Sequence, residues 1–167
     1  MEREGAMRYG VGMYGGKFMP FHKGHLHCLE VAVSMCDKVW LALFVGGLGE
    51  ELIRSEDDRE MLAPEVRWEA VRRVAAMYDN VTPVMVDVSR CRLENGCEDW
   101  DAETPLVLDA MGHFDAVFGS ETSYAFYFER AYPWADYVVV DEKRKTVPIS
   151  ATMVRAMEES EATKWIV

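Results

Sequence analysis

The sequence predicts an α/β fold, a doubly wound parallel sheet of about five strands with helices on both faces. Strand-like and helix-like segments alternate along the chain. Lys38 to Val45 (Lys-Val-Trp-Leu-Ala-Leu-Phe-Val) is a continuous apolar run, the pattern of a strand buried on both faces. The stretch richest in chemistry, Gly15-Gly16-Lys17-Phe18-Met19-Pro20-Phe21-His22-Lys23-Gly24-His25, lies where a strand gives way to a helix, the place where such sheets bind ligands.

The elements follow in order. Tyr9 to Tyr14 reads as the first strand; Pro20 delays the helix to about Lys23, where Leu26, Leu29, Val31, Ala32 and Val33 give an apolar face at helical spacing. Lys38 to Val45 is the second strand. The acidic segment Glu50 to Glu60 reads as a solvated loop leading into a helix that Pro64 starts, with Val66, Ala70, Val71, Val74 and Met77 as its apolar stripe. Thr82 to Val88 is the third strand, Cys91 to Trp100 a polar loop, and Thr104 to Met111 a helix. Phe114 to Phe118 and Tyr137 to Val140 are the fourth and fifth strands, flanking an aromatic helix from about Thr122 to Ala131, and a short helix begins near Ser150. Residues 1–8 are expected to be a flexible N-terminus and 9–167 one domain.

Composition narrows the function classes. A chain of 167 residues can bury a substantial core without disulfides, and Cys28, Cys36, Cys91 and Cys97 lack a CxxC spacing, so they are expected to be reduced thiols. The net charge of −11 argues against nucleic acid as a partner, since nonspecific affinity for it comes from Lys and Arg. A small phosphorylated ligand needs only a local positive pocket. No apolar run is long enough to span a membrane and Met1 to Gly5 do not resemble a signal peptide, so the expected address is cytoplasmic, without a membrane partner. Tyr132 and Trp134 are candidate apolar surface for a homo-oligomer.

Two imidazoles and an ammonium around a strand-to-helix turn suit phosphate, because unpaired N–H groups and the helix dipole favour an anion there. Gly24 removes a side chain where a ligand would approach the backbone. Gly10-Val11-Gly12-Met13-Tyr14-Gly15 spells the dinucleotide fingerprint GxGxxG, but its glycines fall in the strand and turn instead of opening the helix, and Glu30 sits inside the helix. A redox site is therefore not expected; the glycines are expected to let the backbone pack close to a nucleotide.

His22-Lys23-Gly24-His25 resembles the HxGH signature of the nucleotidylyltransferase superfamily, and Ile149-Ser150-Ala151-Thr152-Met153-Val154-Arg155 resembles its ISxTxxR element. Gly16-Lys17-Phe18-Met19-Pro20-Phe21-His22, Val140-Asp141-Glu142-Lys143-Arg144 and the tail Lys164-Trp165-Ile166 look most like the NadR-type nicotinamide-nucleotide adenylyltransferase domain. The sequence carries no Walker A motif, so kinase activity is not carried over. The resemblance implies a Rossmann-like fold and transfer of AMP from ATP to nicotinamide mononucleotide, giving NAD and pyrophosphate. It implies ATP and a phosphorylated small-molecule acceptor as partners, with magnesium on the triphosphate and no metal cage of the protein's own.

In such a transfer the protein positions groups and stabilises charge, and needs no nucleophile of its own. His22 and His25 would donate hydrogen bonds to the α- and β-phosphates, Lys17 would bridge attacking phosphate and triphosphate, and Arg155 would hold the β- and γ-phosphates. Gly15, Gly16, Phe18, Gly24, Ser150 and Thr152 complete the expected ATP contacts, and the resemblance places Gly119, Ser120 and Glu121 beside adenine and ribose. Trp100 is the candidate to meet the nicotinamide, with Arg144 a further acceptor contact. Tyr124 to Phe128 are expected in the core, and His27 and His113 are expected to be incidental. Phosphopantetheine adenylyltransferase, a cytidylyltransferase acting on a phosphorylated alcohol, and a non-catalytic nucleotide sensor are the alternatives.

Overall fold

In the computed structural model, which describes residues 8–167, five parallel strands are ordered β3-β2-β1-β4-β5. They are β1 (Tyr9–Gly16), β2 (Cys36–Val45), β3 (Val81–Asp87), β4 (Ala116–Gly119) and β5 (Asp136–Val139). The helices are α1 (Lys23–Met35), α2 (Leu48–Glu56), α3 (Pro64–Ala75), α4 (Trp100–Met111), α5 (Ala125–Ala131), α6 (Ala151–Ala156) and α7 (Glu159–Ala162). The doubly wound class is as the sequence predicts. The expectation for the N-terminus lies outside the described residues up to residue 7; Arg8 is described and pairs with Asp37 at 2.7 Å.

Strand alternation builds two cores. Tyr14, Leu41, Leu43 and Phe118 face one layer, where they meet Leu29 and Ala32 of α1 and Val71 and Val74 of α3. Met13, Ala42 and Val117 face the other, against Val107 and Met111 of α4 and Phe128 of α5. Every strand position near the centre is therefore apolar, since period-two alternation puts each side chain into one of two dry layers. Full burial of a Leu or Val contributes about 1.5–3 kcal/mol. A third cluster of Ile149, Val154 and Ala162 packs with Trp165 and Ile166 and seats the C-terminal segment beside α1, where Lys23 N donates to the Trp165 carbonyl at 2.8 Å.

Several expectations are corrected. Up to Glu56 the acidic segment belongs to α2 instead of a loop, with Glu50 turned inward; from Asp57 to Arg59 it is irregular, as expected. Trp100 opens α4, four residues before the expected start at Thr104, because the Asp99 carboxylate caps the Ala102 N–H at 3.2 Å; Pro105 falls inside the helix. The α3 stripe does not include Val66 and Met77, which are exposed, and begins instead at Arg67, which is 1% exposed. Arg67, Val71 and Val74 stand at i, i+4 and i+7, one inward face whose first member is charged. Phe114 precedes β4 and Val140 follows β5, although both are buried. Tyr132 is buried and offers no surface; Trp134 is half-exposed and donates to the Phe114 carbonyl at 2.9 Å. Phe126 is exposed instead of in the core, and Tyr124 is partly so.

The buried Arg67 is fully used. Its Nε donates to the Leu62 carbonyl and one Nη to the Lys17 carbonyl, both at 2.9 Å, and its other Nη pairs with Glu50. Glu50 in turn accepts the Gly46 N–H at 2.9 Å. The pair thus ties the loops after β1 and β2 to α2 and α3. Arg67→Met is expected to cost about 3–5 kcal/mol, because it strands the Glu50 carboxylate in a dry site. Urea unfolding would check this, and a loss below about 1 kcal/mol would refute the staple.

Candidate active site

The strand order places β2 and β4 on opposite sides of β1, so the loops after β1 and β4 part and leave a crevice at the carboxyl edge. A cavity of about 510 Å³ fills it, a volume fitted to a nucleotide-sized ligand. Lys17, His22, His25, Gly119, Ser120, Glu121, Arg144, Ser150, Thr152 and Arg155 all line it, as do Gly15, Gly16, Phe18 and Trp100. Of the expected site residues, only Gly24 lies off the wall. Residues up to 136 positions apart thus converge on one space: Arg155 Nη1 donates to the Met19 carbonyl at 2.8 Å.

His22 caps α1. Its Nδ1 accepts the N–H groups of Gly24 at 3.0 Å and His25 at 3.3 Å, while His25 Nδ1 accepts the His22 N–H at 3.1 Å. This is a capping box made of two histidines, and it decides chemistry. With both Nδ1 atoms accepting, each neutral ring carries its proton on Nε2, so each presents a donor at the far edge of the ring. The rings stack with centroids 3.6 Å apart. A Cβ at position 24 would lie 2.8 Å from His22 Cε1, so glycine is required for that ring to fold over the helix start.

Electrostatics keep both rings neutral. Burial, and secondarily Arg144, lowers His22 to about 4. Burial, His22 and Arg144 together hold His25 well below the usual imidazole range. The His25 ring is enclosed by Phe18 at 4.9 Å and Phe21 at 5.3 Å. Phe18 itself is buried in a left-handed conformation (φ 49°), with its ring also against Tyr14 and Phe21. That conformation is costly for a bulky residue, and packing holds it. Its ring supports His25 from below.

The cationic groups surround the imidazoles. Lys17 is exposed beside Gly49, and its carbonyl is the one Arg67 fixes. Ser150 caps α6 by accepting the Met153 N–H at 3.2 Å, and the part-buried Arg155 follows in the same helix. Thr152 Oγ1 lies 3.4 Å from an Arg155 Nη. Arg144 takes a left-handed conformation (φ 51°) and donates to the Ile149 carbonyl at 2.8 Å. Gly15 and Gly16 line the cavity, and two glycines of β1 also have a packing role. At Gly12 a Cβ would meet Cys36 Sγ at 2.6 Å, and at Gly15 it would strike the Phe44 ring, so they make room for the protein's own side chains. His27 and His113 lie off the cavity wall; His113 pairs with Asp115 at 2.9 Å.

One part of the wall escaped the sequence reading. Glu98 and Glu103 line the cavity beside Trp100, whose Nε1–H donates to Glu98 at 2.7 Å. Tyr127 lies edge-on to Trp100 at 5.1 Å, and Tyr124 is 5.7 Å from it. Burial, then Glu98 and Asp99, raises Glu103 to about 7. The signal was present in the sequence as a carboxylate-rich stretch around a tryptophan, but its convergence with Tyr124 and Tyr127 depends on α4 lying against α5. Among the described residues no three His, Cys, Asp or Glu side chains gather as a metal site. Nor is any described helix long and apolar enough to cross a membrane.

The fold is of the doubly wound α/β class, and its switch-point cavity, lined by two imidazole donors, a lysine and an arginine, has the chemistry to receive phosphate. Residues 13–157 match the family model described as cytidylyltransferase-like, and the chain belongs to that family. The likeness to the nucleotidylyltransferase superfamily seen in the sequence is thereby borne out. A phosphopantetheine adenylyltransferase of Clostridium perfringens is 34% identical over 71 residues, 42% of this chain and 38% of that protein. A NadR protein solved in complex with NAD and AMP-PNP superposes over 95% of this chain and 44% of its own, with a TM-score of 0.65 and 21% identity. A bifunctional NMN adenylyltransferase/ADP ribose pyrophosphatase from Francisella tularensis covers 88% of this chain and 41% of its own, at TM-score 0.61 and 23% identity. These structures share the fold, and the chain spans less than half the length of each of these relatives.

The neutral histidines make stability depend on pH. A ring whose folded value is depressed contributes stability that is fully present above the ordinary value of 6.5 and is lost as pH falls through about 4. Thermal stability should therefore fall across that window. His22→Asn keeps a capping oxygen but removes one titrating ring, so its loss should be shallower. Equal acid sensitivity of the two proteins would contradict the assignment.

Proposed function

We propose that the protein transfers AMP from ATP to nicotinamide mononucleotide, giving NAD and pyrophosphate. An oxygen of the acceptor phosphate attacks the α-phosphorus, the bond from that phosphorus to the bridging oxygen of the β-phosphate breaks, and pyrophosphate leaves with the electron pair. The observation that carries the reading is the reciprocal histidine cap, which leaves both Nε2–H donors free at the cavity edge. Donors fixed before the reaction stabilise charge as it develops, without reorganising. Lys17 spans attacking phosphate and triphosphate, while Arg155, Ser150 and Thr152 hold the β- and γ-phosphates. Magnesium, expected to arrive with the triphosphate, would neutralise part of its charge.

Support for this acceptor comes from the aromatic wall at Trp100 and from the fold shared with NadR along nearly the whole chain. A second reading, adenylyl transfer to phosphopantetheine, is favoured by the 34% identity over 71 residues. Pyrophosphate release with ATP and magnesium, measured across nicotinamide mononucleotide, nicotinate mononucleotide and phosphopantetheine, separates them. Turnover with phosphopantetheine alone would replace the first reading by the second. Release with none of the acceptors would sink both.

His25→Ala is expected to lower kcat by roughly 10²–10³, the usual loss for one transition-state donor. Lys17→Ala should lower kcat and raise KM for ATP together, because its contacts precede as well as accompany transfer. Steady-state kinetics on the folded variants would check both, and a His25→Ala protein of near-normal kcat would remove His25 from the mechanism.

A further inference from the structure

Two glutamates on the cavity wall have no part in handling phosphate. Glu98 stands over the ends of β2 and β3, close enough to Gly47 that a Cβ there would lie 2.6 Å from its Oε1. Glu103 is one turn into α4, facing the same space. Between them Trp100 presents a half-buried ring, with Tyr124 and Tyr127 beside it. The groups assigned to the triphosphate, Ser150, Thr152 and Arg155, come from the start and body of α6, whereas Lys17 reaches toward Gly49 and acts on Glu103. The part of the cavity beside Glu98, Trp100 and Glu103 is thus the one left for the acceptor.

We propose that Glu98 and Glu103, with Trp100 between them, select the acceptor by the charge of its head group, admitting a cationic ring and rejecting one that bears a carboxylate. The inference rests on the mononucleotide reading of the site. Aromatic faces and carboxylates both attract a cation, and a pyridinium ring carries its charge at every pH. A carboxylated ring would bring a further negative charge against two already close together.

The neighbouring cations do not cancel this. Lys17 and Arg92 both face Glu103, but Lys17 is committed to phosphate, while Arg92 donates to the Gly46 carbonyl at 2.9 Å and pairs with Glu51 at 3.0 Å. The remaining groups around Glu103 are Glu98 and Asp99, both acidic, and Cys91, Tyr127 and Tyr132, whose own values burial pushes up, so that they stay neutral. Since Glu103 is held near neutrality, its share of the repulsion should grow as the pH rises through about 7.

The test compares kcat/KM for nicotinamide and nicotinate mononucleotides from about pH 6 to about pH 8, in the intact protein and in Glu98→Gln, Glu103→Gln and the double variant. The intact protein should favour the amide by roughly tenfold or more, increasingly so at higher pH, and the double variant should lose roughly that factor, mainly through KM for the acid. The pH dependence of the intact protein needs no variant, so the test stands if a substitution prevents folding. A preference for the acid, or an amide-to-acid ratio unchanged by both pH and substitution, would overturn the inference while leaving adenylyl transfer to mononucleotides intact. Turnover of phosphopantetheine alone would overturn the mononucleotide reading and the inference with it.

Discussion

Arg67 is a charge placed where a sheet protein would ordinarily put Leu. The guanidinium survives there because every direction it points in ends on an acceptor: Leu62, Lys17 and Glu50. A buried ion pair seldom stabilises more than an apolar pair of the same volume would. What it supplies is geometry, since an apolar contact is nondirectional and three donors are not. The loops after β1 and β2 carry no regular structure to fix them, and this pair defines where both leave the sheet. Lys17 and Gly46 are its direct clients.

The second constraint lies at the start of α1, where structure and chemistry share atoms. A helix leaves its first N–H groups unpaired, and serine or aspartate is the usual remedy. Here histidine Nδ1 atoms do that work, so the act of capping the helix selects the tautomer that turns Nε2–H toward the cavity. Burial reinforces the choice by keeping the rings uncharged, and the aromatic floor of Phe18 and Phe21 maintains that burial. One ring thus supplies both the cap and the donor, which couples the geometry of this turn to the direction of its Nε2–H.

Charge is distributed unevenly around one cavity. His22, Lys17, Arg144 and Arg155 make one region receptive to phosphates although the chain as a whole carries −11. Glu98 and Glu103 make another region receptive to cations. A bound molecule with phosphate at one end and a positive ring at the other would match both, and it would be oriented by the field before any close contact forms.

The sequence by itself determined the strand and helix alternation, the two buried layers, the start of α1 and most of the residues that line the cavity. These are local properties: periodicity, a delaying proline, and two motifs of fixed spacing that stay legible wherever the chain goes. It misread α2 as a loop because an acidic run resembles a solvated segment until Glu50 is seen to meet Arg67, 17 residues away. It placed Val66 in the stripe of α3 because a buried arginine looks polar in any pattern of hydrophobicity. It did not show that the rings of Phe118 and Phe44, from neighbouring strands, need the room left at Gly12 and Gly15. Only the tertiary structure decided these points, along with the meeting of Glu98, Glu103 and Trp100 with Tyr124 and Tyr127. Each depends on partners distant in the chain, and the packing of strands and helices alone brings them within reach of one another.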